Sequence, residues 1–317
     1  MAVPPDPGAS IRPGGITLLG ARQTGKTTFL ASLQIALLRR KELGWALVSD
    51  NEASARALTA FVTDMTDQHM FPAPTDAIEN YNWTLEGELA PSREWHWWGF
   101  RHRRRFARIP LDLIDAPGEI TDSKQIYGEG VSRQFVGNLA RSAGIVLFFD
   151  PITEFTEGNA FRNMYGVLTL LRAQLRGDGR LPHWVAVCIT KFDEIAVYEA
   201  ARKLRIIDVD PYPPEFPRVP DDDGRKFFER LVTLSKSDSA DLVLPLLEQT
   251  FNEERIKFFV TSAIGFFVDS RYGVFDPDDY QNHIPRETKD DLDYIRGGIR
   301  PINVIEPVLW LGRNVRG

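Results

Sequence analysis

Gly20-Ala21-Arg22-Gln23-Thr24-Gly25-Lys26-Thr27 satisfies the Walker A pattern G-x-x-x-x-G-K-[ST] at every fixed position. The apolar run Ile16-Thr17-Leu18-Leu19 ahead of it reads as a short buried strand, and Phe29, Leu30, Leu33 and Leu37 behind it recur at helical spacing. Strand, glycine loop and helix in that order predict a phosphate cradle. The glycines let the backbone turn tightly, and successive N–H groups at a helix N-terminus present partial positive charge. Lys26 is placed to reach the β- and γ-phosphates, the Thr27 hydroxyl to ligate Mg2+, and Thr28 to close the cradle in the first helical turn.

Working outward, 317 residues with 43% apolar content can build a substantial core. We expect a flexible Pro- and Gly-rich arm over 1–15 and a single domain over 16–317, with insertions at about 91–105, 194–254 and 265–300. A formal charge of -6 excludes a surface that grips nucleic acid throughout, though not a local basic patch. The one cysteine, Cys188, sits in an apolar strand-like run and suits a reducing cytosol. No apolar run approaches the roughly 20 residues that span a bilayer, so the expected location is cytoplasmic.

Helical spacing recurs in Ala53, Leu58, Phe61, Val62 and Met65, before the prolines at 72 and 74. Tyr81 to Leu89 alternates like an exposed strand and Phe106 to Ile114 like an interior one, with a linker between them that could close a hairpin. The second strand delivers Asp115-Ala116-Pro117-Gly118-Glu119, an acidic residue three before a glycine: the carboxylate is suited to hold Mg2+ through water, and the Gly118 N–H to meet a γ-phosphate. Gly144 to Asp150 reads as a buried parallel strand, followed by a helix with Phe161, Met164, Leu168, Leu171 and Leu175 on one face. Trp184 to Ile189 and Ile256 to Val260 are the last strands. Each ends in a polar element, Thr190-Lys191-Phe192-Asp193 and Thr261-Ser262-Ala263-Ile264, where an open parallel sheet gathers its ligands.

With these landmarks in order, the chain resembles the Ras-like branch of P-loop GTPases from about Ile16 to Ile264. That resemblance implies an α/β three-layer sandwich with a six-stranded, mostly parallel sheet and one antiparallel edge strand. It further implies that Asp193 takes the two N–H donors on the guanine edge and that the Lys191 stem covers the base face. Thr190 stands where asparagine is commoner, and Ser262, Ala263 and Ile264 match the element that offers a backbone N–H to the guanine carbonyl. Thr75 is the candidate switch threonine, coordinating Mg2+ and sensing the γ-phosphate. The long insertions also resemble those of bacterial GTPases that act beside partner proteins in multi-gene systems.

Two departures from the family pattern bear on turnover. Glu119 stands where Ras-like enzymes orient the attacking water with glutamine, and Arg22 replaces a glycine, where it can supply charge in cis with Gln23 beside it. The sequence thus supports a switch that binds Mg·GTP and hydrolyses it to GDP, with Lys26, Arg22, Glu119 and Thr75 in catalytic roles. The alternatives are a non-hydrolysing GTP-binding module or scaffold, and an ATPase or nucleotide kinase, which the base-reading elements argue against. Trp95-His96-Trp97-Trp98 followed by Arg101-His102-Arg103-Arg104-Arg105 could dock a protein effector, an anionic membrane surface or nucleic acid, as well as being a solvated loop.

Overall fold

The computed structural model describes residues 14–21, 24–73, 79–96, 99–115, 131–175, 179–285 and 293–315. The run Ile16–Leu19 forms β1, buried at all four positions, and the glycine loop hands the chain to α1 (Lys26–Arg39). That helix ends at Arg39, and a 3-10 turn (Lys41–Leu43) takes up the residues before Gly44. Then come β2 (Trp45–Ser49), α2 (Glu52–Thr66), β3 (Glu79–His96), β4 (Gly99–Asp115), α3 (Val131–Arg141), β5 (Gly144–Phe149), α4 (Pro151–Glu157) and α5 (Ala160–Leu175). The remainder comprises β6 (Trp184–Ile189), α6 (Ile195–Leu204), β7 (Asp208–Val209), β8 (Pro217–Arg218), α7 (Gly224–Val232), α8 (Val243–Thr250), β9 (Ile256–Val260), β10 (His283–Ile284), β11 (Tyr294–Ile295) and α9 (Glu306–Asn314).

Among the described residues the main sheet has seven strands, in the order β2-β3-β4-β1-β5-β6-β9. All neighbouring pairs from β4 to β9 are parallel, and β3 is antiparallel to both of its neighbours. The strand beyond the expected six is β2. It lies outside β3, so the antiparallel strand sits one place in from the edge. Pairing there depends on Gly87 opposite Trp45, since any side chain at Gly87 would occupy the space of the indole. Covered on both sides, β3 is also more buried than its alternation predicts: Trp83 and Leu85 are fully buried and Thr84 nearly so.

The expected linker over 91–105 is largely strand. The β3–β4 ladder runs from Glu79 opposite Asp115 to His96 opposite Gly99, with one irregularity between Leu89 and Ser92. β2 pairs with β3 only between Trp83 and Gly87, and β1 with β4 only between Leu111 and Leu113, so the rest of the hairpin is a two-stranded ribbon.

Helices cover both faces, and the pleat of β5 shows how the core is divided. Ile145, Leu147 and Phe149 join Leu139, Leu171, Phe227 and Leu247 on one face, whereas Val146 and Phe148 join Phe29, Leu33 and Val308 on the other. Burying each such side chain contributes about 1.5–3 kcal/mol. Met164, Val167, Leu168 and Leu171 form the buried stripe of α5, close to its predicted face. The closing helix, α9, has its proline in the first turn and packs on β1, β5 and β6. No helix among the described residues is long and apolar enough to cross a membrane.

The chain leaves β1 towards β4 on one side and later continues through β5 on the other. The crevice outside the carboxyl ends of β1 and β5 is therefore the switch point of the sheet, where ligands of such folds bind.

Candidate functional site

At that switch point the glycine loop closes on itself. Thr24 Oγ1 donates to the Ala21 carbonyl at 2.9 Å, and the Lys26 ammonium donates to the Gly20 and Ala21 carbonyls at 3.0 and 2.9 Å. Lys26 is 6% exposed, so the loop surrounds a nearly buried cation that attracts phosphate oxygens strongly in a low dielectric. Gly25 is the N-cap of α1, at φ 88°, a left-handed conformation that glycine adopts without strain, and it has no side chain to cap the helix. The first turn, with Thr27 and Thr28, is thereby kept open to an anion. Gly20 is needed for space, because a Cβ there would stand 2.6 Å from Thr24 Oγ1 and 2.8 Å from Phe148 Cβ. Beside the loop lies a cavity of about 50 Å3, bordered by Gly20, Ala21, Thr24, Asp150 and Asn163 above a floor that includes Met164.

Two strands along, the polar elements after β6 and β9 form a second centre. Backbone bonds hold them together: Thr190 N–H to Phe149 O at 2.9 Å, Thr261 N–H to Ile189 O at 2.8 Å and Phe192 N–H to Thr261 O at 3.1 Å. The Thr190 hydroxyl donates to Phe149 O at 3.2 Å, which makes it part of this backbone stitching. Lys191 adopts φ 59°, a rare conformation for a residue with a side chain, and its ammonium pairs with Asp150 Oδ2 at 2.7 Å.

Asp193 is 5% exposed and accepts a short hydrogen bond from Ser262 Oγ. Burial pushes its carboxyl up to about 6, against the opposing pull of the Ser262 hydroxyl, while the neighbouring Glu194 raises it further and His283 lowers it. Ser262 Oγ in turn accepts the Gly265 N–H at 2.7 Å, and an antiparallel bridge ties Ser262 to Ile302. Ser32 Oγ in α1 donates to the Ala263 carbonyl at 2.6 Å, so the 262–264 turn rests on the helix that begins at the glycine loop. Ser32 lies six residues into that helix, roughly 9 Å along its axis from the start, a separation a nucleotide can bridge. Ile264 is buried against α1 residues Ala31 and Ile35.

The structure thus brings Gly20, Ala21, Thr24 and Gly25 of the loop together with Lys26, Thr27 and Thr28 of the first turn of α1, and Thr190, Lys191 and Asp193 together with Ser262, Ala263 and Ile264 at the same carboxyl end of the sheet. Asp115 closes β4 opposite Glu79, next to β1. Arg22, Gln23, Thr75, Gly118 and Glu119 lie outside the described residues.

Sequence reasoning passed over Asp150. It caps α4, accepting from Ile152 N–H, Thr153 N–H and Thr153 Oγ1 at 3.0, 3.3 and 2.8 Å, besides holding Lys191. The Asp-Pro pair at 150–151 carried the signal, as a cap followed by proline in the first turn. Nothing local marked His283, whose Nδ1 meets Glu194 Oε1 and whose Nε2 lies 3.3 Å from Asp293 Oδ2.

No protein-family model matches the chain, and no curated protein matches it. Among solved structures it is similar to the signal recognition particle receptor SRb-GTP/SRX complex of Chaetomium thermophilum, at 14% identity over 80% of this chain and 92% of that one, with a TM-score of 0.37. It is also similar to the S. cerevisiae Ski7 GTPase-like domain bound to GTP (14% identity, 97% of this chain and 51% of that one, TM-score 0.38) and to sup35 complexed with GDP (12%, 81% and 40%, TM-score 0.28). By its own topology, glycine loop, uncapped helix N-terminus and buried lysine, the chain has the P-loop NTPase fold, in the strand-and-loop order that its sequence motifs share with P-loop GTPases.

Proposed function

We propose that this protein is a guanine-nucleotide-binding switch that binds Mg·GTP and hydrolyses it to GDP and phosphate. The observation that carries this is the buried Asp193 carboxylate, oriented by Ser262 on the same sheet edge as the phosphate loop. Guanine presents two adjacent N–H donors to such a carboxylate and a carbonyl to the backbone of the 262–265 turn, whereas adenine presents an acceptor where a donor is needed. That mismatch would leave buried polar groups unpaired, a discrimination of several powers of ten in sites of this kind.

The remaining residues fit the rest of the ligand. Lys26 and the open first turn of α1 suit the phosphates. Thr27 lies in the first turn of α1 and Asp115 closes β4 beside β1; these two would hold Mg2+, with Thr75 completing the set in the GTP state. Bound there, Mg2+ would neutralise phosphate charge. Lys26 would stabilise the charge that develops on the transferred group, Arg22 would add to it in cis, and Glu119 would accept a proton from the attacking water. Thr75 and the 115–118 segment would order around the γ-phosphate and relax after its loss, signalling to a protein effector that also contacts the Trp95 to Arg105 ribbon. We place this switch in the cytoplasm, in keeping with its one cysteine, which is buried and unpaired by any disulfide.

Single-turnover hydrolysis of GTP, with ATP in parallel and Mg2+ present, tests the reading. Turnover confined to GTP is expected, and Asp193→Asn should move the preference to xanthine nucleotides. Equal use of ATP together with an unchanged preference in the variant would sink it. Tight GTP binding without turnover would mark a non-hydrolysing binding module, and an Arg22→Ala rate equal to the parent's would remove the cis arginine.

A further inference from the structure

The insertion after β9 does more than connect β9 to α9. β10 and β11 pair antiparallel, His283 opposite Ile295 and Ile284 opposite Tyr294. Tyr294 also bridges Met70, the Ile295 N–H donates to His69 O at 2.7 Å, and the His69 ring contacts Ile295 O at 3.1 Å. A small sheet therefore fastens the chain just after α2 to β11, and fixes His283 on its other side. Asn282, fully buried, ties the same strand to the base-reading turn: its Nδ2 donates to Ile264 O at 3.2 Å and its Oδ1 accepts the Gly297 N–H at 2.8 Å.

So placed, the His283 imidazole has a carboxylate at each nitrogen, Glu194 from the start of α6 and Asp293 from the residue before β11, with the Phe71 ring edge-on at 5.5 Å. Glu194 is the residue directly after Asp193, so two carboxylates adjoin at the end of β6 where only one is wanted. We propose that His283 is a positioning residue for base recognition: as an imidazolium clamped between Glu194 and Asp293, it neutralises and holds Glu194 so that Asp193 beside it remains an ionised, correctly aimed acceptor. This rests on the reading of Asp193 as the guanine reader.

The electrostatics agree with the geometry. The hydrogen bond to Glu194, foremost, holds the His283 imidazole above the usual histidine range despite partial burial, with Asp293 adding to the effect. Burial raises the Asp193 carboxyl most, Glu194 raises it further, and the Ser262 hydroxyl, a backbone hydrogen bond at Asp193 itself and His283 lower it. A carboxyl near 6 loses its acceptor character just below neutrality, so removing the cation next to Glu194 takes recognition away first on the acid side.

GDP affinity of the full chain, measured by calorimetry from pH 5 to pH 8.5, tests this with the parent, Asp193→Asn, His283→Gln and the double variant His283→Gln/Glu194→Gln. The parent should lose GDP affinity as pH falls through about 6. His283→Gln keeps a hydrogen-bond donor but no charge. Its loss should begin at higher pH, leaving it roughly fivefold weaker than the parent at pH 6.5 and nearly equal at pH 8.5. Removing the Glu194 charge as well should bring the midpoint back. A merely structural role would lower affinity equally at all pH values, and that result, or a shift that Glu194→Gln does not reverse, overturns the proposal. Should His283→Gln fold poorly, His283→Lys keeps a cation between the two carboxylates and must retain the parent's midpoint. If the parent does not bind GDP, or Asp193→Asn binds it as well, the guanine reading itself fails; if Asp193→Asn loses GDP while His283→Gln superimposes on the parent, only the role of His283 does.

Discussion

Ser262→Ala removes one oxygen atom that serves two partners. Ser262 is fully buried, its hydroxyl donates to the Asp193 carboxylate, and it accepts the Gly265 N–H at 2.7 Å. Losing a hydrogen bond to a charged group costs about 1.5–3 kcal/mol, and stranding a buried N–H costs about 1–3 kcal/mol. Allowing for relaxation, the variant should be less stable by about 3 kcal/mol at pH 7.5. The cost should depend on pH. The Asp193 carboxyl of the folded protein titrates at about 6, above the 3.8 of an ordinary aspartate, so between these values the folded state binds the extra proton and stability rises as pH falls. Ser262 holds that carboxyl down, so the alanine variant gains more from acidification than the parent does. Its deficit should shrink to about half by pH 5, where a protonated Asp193 no longer needs the donor and only the Gly265 N–H is orphaned. Urea unfolding of the nucleotide-free protein at the two pH values measures both quantities. A deficit below about 0.5 kcal/mol at pH 7.5, or one that is the same at pH 5, would refute the reasoning.

The same turn yields a second expectation at Gly265, which has φ 70° and faces the Arg300 carbonyl. Gly265→Ala adds left-handed strain of about 1–2 kcal/mol and drives a Cβ into that oxygen. An unfolding free energy lowered by at least that amount, seen as a lower urea midpoint, is expected together with weaker nucleotide binding, and an unchanged midpoint counts against the described turn. Asp150→Ala removes the cap of α4 and the partner of Lys191, for a loss of about 2 kcal/mol by urea unfolding. Asp150→Asn, which keeps an acceptor for the cap, should recover about half of that; equal losses in the two variants would show that the cap is unimportant.

What could be read along the chain was local chemistry. The glycine loop, the apolar strand before it and the helical spacing after it are short-range patterns, because turn conformation, pleat and helix pitch each involve residues only a few positions apart. The same holds for the runs that became β5, β6 and β9, and for the polar residues at their ends. β2 was missed for a different reason. Of its five residues only Leu47 is buried, and its pairing depends on Gly87, remote in sequence, leaving room for Trp45. The extent of the β3–β4 ribbon was hidden likewise, since a Trp- and Arg-rich stretch resembles a loop until cross-strand partners are assigned.

The sequence by itself determined the glycine loop, the α/β class and which residues are candidates for meeting a base and its phosphates. Only the tertiary structure decided that the Asp193 carboxylate is buried against Ser262, that Asp150 is the partner of Lys191, and that His283 is wedged between Glu194 and Asp293. The physical reason is that burial and charge pairing are properties of what surrounds a group. For these side chains the surroundings come from segments tens of residues away, brought together only when the sheet and the C-terminal insertion close around the site.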